Sequence, residues 1–171
     1  MTAQCMLALN RIEEAKVYFQ KALFFNKNDS DIYCNQAALY LQISEYAFAE
    51  KILLKATEIN PTDHKVQFQL AKANYLLRNY EKSNDILNLL KKKVNSISVF
   101  VLLYLNYKSM GKESECKKYY TKAKLISEEQ TKSMILDLLQ ALKQNNQNNS
   151  YDLSNSLGDG CKLESFIIEQ D

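Results

Sequence analysis

Residues 30–61, SDIYCNQAALYLQISEYAFAEKILLKATEINP, decide the fold. On either side of Ile43-Ser44-Glu45, small and apolar residues fall three and four apart, which is the spacing of one buried stripe on each of two helices. The same stripe recurs along the chain. Ala49 has Ala15 before it and Ser83 and Cys116 after it, at intervals of 34, 34 and 33. Leu53 lies in register with Phe19, Leu87 and Tyr120, and Ala56 with Ala22, Leu90 and Ala123. On the first helix of each pair the series is Ala3, Ala37, Ala71 and Tyr104. Self-similarity at this period denotes stacked helix pairs, each burying its face on the next.

Working outward, the spacing predicts a short helix over 2–9 and then helices over 12–26, 31–42, 46–59, 64–77, 80–93, 97–110 and 113–126. Asp29 or Ser30, and Thr62 or Asp63, are placed to cap the helices that follow them. Asn60-Pro61 stops one helix sharply, because proline cannot donate and restrains its predecessor. Gly111 suits a left-handed turn between paired helices. The recurring small residues let paired backbones close to roughly 8–10 Å. Tyr104 interrupts that series, so the fourth pair is expected to pack more widely.

These residues resemble the tetratricopeptide repeat, whose signature runs W-x2-L-G-x2-Y, A-x3-F, P over about 34 residues. Tyr33, Ala37, Tyr40, Tyr46, Ala49, Leu53, Ala56 and Pro61 stand at its places, with Gln36 for the leucine and Ala37 for the glycine. The resemblance implies an all-α, right-handed superhelical solenoid of antiparallel helix pairs. It spans 1–145, with repeats near 1–29, 30–63, 64–96 and 97–127 and a capping helix over 128–145. Met1 enters the first repeat after its opening turn, which fits either an atypical first cap or one piece of a longer array. In the segment 128–143, Met134, Leu138 and Leu142 lie four apart beside Ile135 and Leu139, as a helix covering the end of a stack requires. The Asn/Ser-rich segment 146–171 reads as a disordered tail.

Composition narrows the function classes. The 171 residues are 46% hydrophobic and 25% charged, with three Gly and one Pro, too few for a turn-rich β fold. A net charge of +2 is too small to point to nucleic acid. No signal peptide is evident, and the longest apolar run, residues 99–105, is far short of the ~20 needed to span a bilayer. Cys5, Cys34, Cys116 and Cys161 lack metal-ligand spacing and read as reduced thiols. A soluble, cytoplasmic protein is expected, in a ciliary or other large assembly by family resemblance.

Catalytic patterns are missing: the single histidine, His64, stands at a helix start beside Asp63, and no phosphate loop, Ser/His/Asp set or metalloprotease helix is present. The expectation is a non-enzyme with no cofactor and no metal. The resemblance places a partner-binding groove on the first helices of the pairs. Its lining here would be Cys34, Asn35, Ala38 and Gln42, then Lys65, Phe68, Gln69, Lys72 and Tyr75, then Val101, Leu102 and Leu105. A scaffold holding a partner's peptide or helix is the reading this supports. The alternative is a cochaperone with a carboxylate clamp for a chaperone's acidic tail. For that, Asn35 and Lys65 match, while Gln4 and Gln69 depart from the pattern. The tail's Phe166, Ile167 and Ile168 are a candidate intramolecular occupant of the groove.

Overall fold

The computed structural model describes residues 11–148, so the expected helix over 2–9, with Ala3, Gln4 and Cys5, and the segment from 149 onward lie outside it. The described residues form eight helices: α1 (Ile12–Phe25), α2 (Ser30–Gln42), α3 (Tyr46–Ile59), α4 (His64–Leu76), α5 (Tyr80–Leu90), α6 (Ile97–Ser109), α7 (Glu113–Ile126) and α8 (Glu128–Asn148). The tightest packing joins α2 to α3, α4 to α5 and α6 to α7, and each pair then rests on the next. This is an all-α solenoid.

Local chemistry sets the helix ends. The Asp29 carboxylate accepts from the amides of Asp31 and Ile32 at 3.0 and 3.4 Å, and Asp63 accepts from Lys65 and Val66 at 2.8 and 3.3 Å. Each satisfies two of the orphan donors at a helix start. Between paired helices the chain reverses through a residue with positive φ: Ser44 at 63°, Arg78 at 63° and Gly111 at 68°. The amides of Glu45, Asn79 and Lys112 then reach back to the carbonyls of Tyr40, Asn74 and Tyr107 at 2.8, 2.8 and 2.9 Å. That is a Schellman closure repeated three times. Only the third copy uses glycine, so only that one is visible by residue type.

Two helix ends differ from the spacing-based reading. α5 stops at Leu90, where Lys92 and Lys93 switch to tighter bonds onto Leu89 and Leu90. α8 runs on to Asn148, into the stretch expected to belong to the tail. Gln and Asn are poor breakers, and an established helix extends through them at little cost while Gly and Pro are absent.

Ala15, Ala37, Ala49, Ala71 and Ser83 are fully buried, as their recurrence requires. Ser83 is more than small. Its hydroxyl donates to the Ala71 carbonyl at 2.8 Å and accepts from the Asn106 amide at 2.9 Å, tying α4, α5 and α6 together. The fourth pair packs as extensively as the second, against the expectation of a wider seam. Tyr104 fits because its ring tilts onto Tyr120 with centroids 5.2 Å apart. Burial pushes its phenol up to about 12.

Candidate functional site

The first helices α2, α4 and α6 lie side by side and build one face of the solenoid. Their register positions do not match in character. Cys34, Phe68 and Val101 are equivalent, as are Asn35, Gln69 and Leu102, and Ala38, Lys72 and Leu105. The face changes from small and polar on α2 to wholly apolar on α6. Residues 99–105 of α6, VFVLLYL, are buried without a gap. A helix that is apolar all round must be covered on every side.

The covering element is α8, which packs on α6 as well as on α7. Its course is marked by three contacts. Near its start, the Ser98 hydroxyl donates to the Met134 sulfur at 3.8 Å. Midway, Asp137 acts electrostatically on Lys72 of α4. Further on, the Tyr46 hydroxyl donates to the Ala141 carbonyl at 3.0 Å, a bond 95 residues long in sequence. The helix therefore crosses the first-helix face from the fourth pair back to the second. Ile135 and Leu138 are buried beneath it, and Met134, Leu139, Ala141 and Leu142 pack on the same core.

This divides the expected groove. Val101, Leu102 and Leu105 are buried core residues, as are Tyr75 and Cys34, and they do not line an open surface. The α6 part of the seat expected for Phe166, Ile167 and Ile168 is thus closed, and those three residues lie outside the described part. Asn35, Ala38, Phe68, Gln69 and Lys72 are half-buried, whereas Gln42 and Lys65 are exposed. Where α8 leaves the face, a cavity of about 320 Å³ remains. Ala38 and Gln42 of α2, Gln69 and Lys72 of α4, Tyr46 and Ala141 all line it.

The cavity is polar on one side and carries unmet demand. Gln69 Oε1 is buried there without a hydrogen-bond partner. Burial lowers the Lys72 pKa, while the Asp137 carboxylate acts the other way. At the open end, Lys65 and Asp31 approach only to 3.9 Å, both well exposed, which makes a weak pair. Burial also pushes up the thiol of Cys34, so it stays a neutral core group. Sequence reasoning missed Tyr46 and Ala141 as cavity residues. It read α8 as an end cap, although the apolar run of α6 called for a cover.

Helix pairs in a 34-residue register, closed by three like turns, are matched by an independent finding: residues 30–63 fit the model of the tetratricopeptide repeat family. Residues 30–63 thus match one tetratricopeptide repeat. Solved structures agree on the fold. A crystal structure of MamA superposes with a TM-score of 0.68 at 15% identity, covering 85% of this chain and 95% of that one. MamA from residue 41 to its end, from Desulfovibrio magneticus RS-1, gives 0.68 at 13% identity, covering 87% and 93%. A MamA RS-1 double mutant gives 0.69 at 14% identity over 88% and 93%. No curated protein matches the chain in sequence. Among the described residues, no helix of this repeat array is long and apolar enough to cross a membrane.

Proposed function

We propose that the chain is a non-enzymatic interaction scaffold that holds an extended or helical segment of a partner protein on the half of the first-helix face that α8 leaves open. The observation that carries this is the contrast along one register. At Asn35, Gln69 and Leu102, and again at Ala38, Lys72 and Leu105, the leucine is buried and the other two are not. The open half offers a cavity, a partly buried cation and an acceptor lacking its donor, and these are features that a peptide backbone and side chains satisfy. The clamp alternative finds less support, because Lys65 faces Asp31 and Gln69 brings no charge. A terminal carboxylate needs paired cations to offset its desolvation.

The test selects peptides from a random display library on the full chain and measures them against variants. Ala38→Arg, which fills the cavity mouth, should weaken the selected peptides by about tenfold or more, the loss of roughly 1.4 kcal/mol. Lys51→Glu on exposed α3 should leave them unchanged. Peptides indifferent to Ala38→Arg and to Phe68→Ala would place the partner elsewhere and end this reading.

A further inference from the structure

A second surface lies along the edge where α5 and α7 end. Leu89, Lys92 and Lys93 on the α5 side are in register with Lys122, Leu125 and Ile126 on α7, one repeat on. Leu89, Leu125 and Ile126 are 62%, 80% and 46% exposed, beside the exposed Lys92, Lys93, Lys118 and Lys122. The residue after α5 reaches the middle of α7. Lys91 Nζ donates to the Tyr119 hydroxyl at 2.6 Å, and Lys118 and Lys122 stand over the Tyr119 ring at 5.6 and 6.0 Å. No ion pair joins Lys92, Lys93, Lys118 or Lys122 to an acidic side chain among the described residues. Lysines in a last helical turn offset the helix dipole. Lys118 and Lys122 stand before that turn, Lys118 acting on the Glu115 carboxyl one turn back, and the dipole accounts for none of the three large apolar side chains in water.

The matching pattern is in the same chain. Residues 163–171 read LESFIIEQD, an apolar triplet flanked by Glu164, Glu169 and Asp171. The segment 149–171 holds five acidic residues and one lysine, against 15 acidic and 21 basic residues in 1–148. Acidic tail and basic body are complementary. Reach also permits contact. Glu128 pairs with Lys124 at 3.2 Å, so α8 starts beside this edge. Over its 21 residues it carries the chain about 31 Å away at 1.5 Å per residue. The fourteen residues 149–162 can extend to about 48 Å, with an r.m.s. span near 20 Å. A stretched but untaut linker brings the segment back.

We propose that residues 163–171 dock in cis on the edge formed by Leu89, Lys92, Lys93, Lys118, Lys122, Leu125 and Ile126, the apolar triplet on the leucines and isoleucine and the carboxylates on the lysines. The segment thereby covers a surface suited to an acidic, apolar partner, which would have to displace it.

Zero-length carbodiimide crosslinking of the full chain, read by mass spectrometry, tests this. Amides should join Glu164, Glu169 or Asp171 to Lys92, Lys93, Lys118 and Lys122, about fivefold more often than to the equally exposed Lys51 and Lys55. Salt at about 0.5 M should cut that yield, since screening shortens the reach of exposed charges. Phe166→Ser with Ile168→Ser should lower it severalfold. Lys118→Glu with Lys122→Glu should abolish those links, and adding Glu164→Lys with Glu169→Lys should return them with amine and carboxylate exchanged. Links spread evenly over all lysines would overturn the proposal. So would links found only between differently labelled copies. Equal binding of wild type and the Phe166/Ile168 double variant to phosphatidylserine vesicles, without tail links, would give the edge to a membrane surface instead.

Discussion

The α2–α4 half of the first-helix face and its α6 portion descend from one repeated pattern, yet one is open and the other is sealed. The difference lies in two or three positions per helix. At the register of Leu102, α2 has Asn35 and α4 has Gln69; at that of Leu105 they have Ala38 and Lys72. Burying a leucine is worth roughly 1.5–3 kcal/mol, whereas burying a lone amide or ammonium costs energy unless it is paired. A passing amphipathic helix therefore settles on α6 and leaves α2 largely bare. In a solenoid, where each repeat sees only its neighbours, such local differences decide where a surface is available.

The largest effect comes from reversing the character of one position in each half. Leu102→Glu places a carboxylate where the side chain is fully buried, and should cost on the order of 4 kcal/mol. Asn35→Glu, its half-buried register mate on α2, should cost no more than about 1 kcal/mol, because the group can turn to water. Thermal denaturation of the two variants measures the gap. Similar melting points would mean that the two halves are equally covered, and the comparison would fail.

A smaller effect should separate the halves in space. Leu138, buried on α8, fills the seam with α6, so Leu138→Ala should cost about 2–3 kcal/mol through the cavity it leaves. Hydrogen exchange should show the loss in α8 and α6, with α2 and α3 keeping their protection, as local opening in a stacked array predicts. Uniform loss along the array would show that α8 belongs to the cooperative core of every pair.

Most of the helix framework was legible because it is written in recurrence. The buried small residues Ala15, Ala37, Ala49 and Ala71 announce the seams, and Asp29 and Asp63 announce two helix starts. The turns at Ser44 and Arg78 were not legible by residue type, since the left-handed conformation there is imposed by the closing bonds on both sides. The Ser83–Asn106 link was equally hidden: nothing in spacing tells a buried amide from a solvated one. The groove was read as continuous because family resemblance treats every first helix alike. The run VFVLLYL in α6 held the correction, for a helix with apolar residues on all sides has no face left to offer a partner.

The smallest expected effect is also the most local. Tyr46 is 3% exposed, and its hydroxyl holds Ala141 at 3.0 Å where α8 passes the second pair. Tyr46→Phe keeps the ring and removes that bond together with the longer one, 3.3 Å, to the Ser44 hydroxyl. Ala141 sits mid-helix, so its carbonyl keeps a helical partner and is not orphaned, and the net cost should be about 1 kcal/mol. For a chain of this size that lowers the melting point by roughly 2–4 °C. The fold should survive with α8 released at this end only. Exchange should quicken in its second half, while the Ile135 and Leu138 region, buried on α6, stays protected. Since Tyr46 and Ala141 both line the cavity, loosening them should also change the affinity of peptides selected on the open half, by about threefold or more if α8 sets the edge of that site. Unchanged affinity beside a lowered melting point would show that the bond serves the fold alone and that the partner surface ends short of α8.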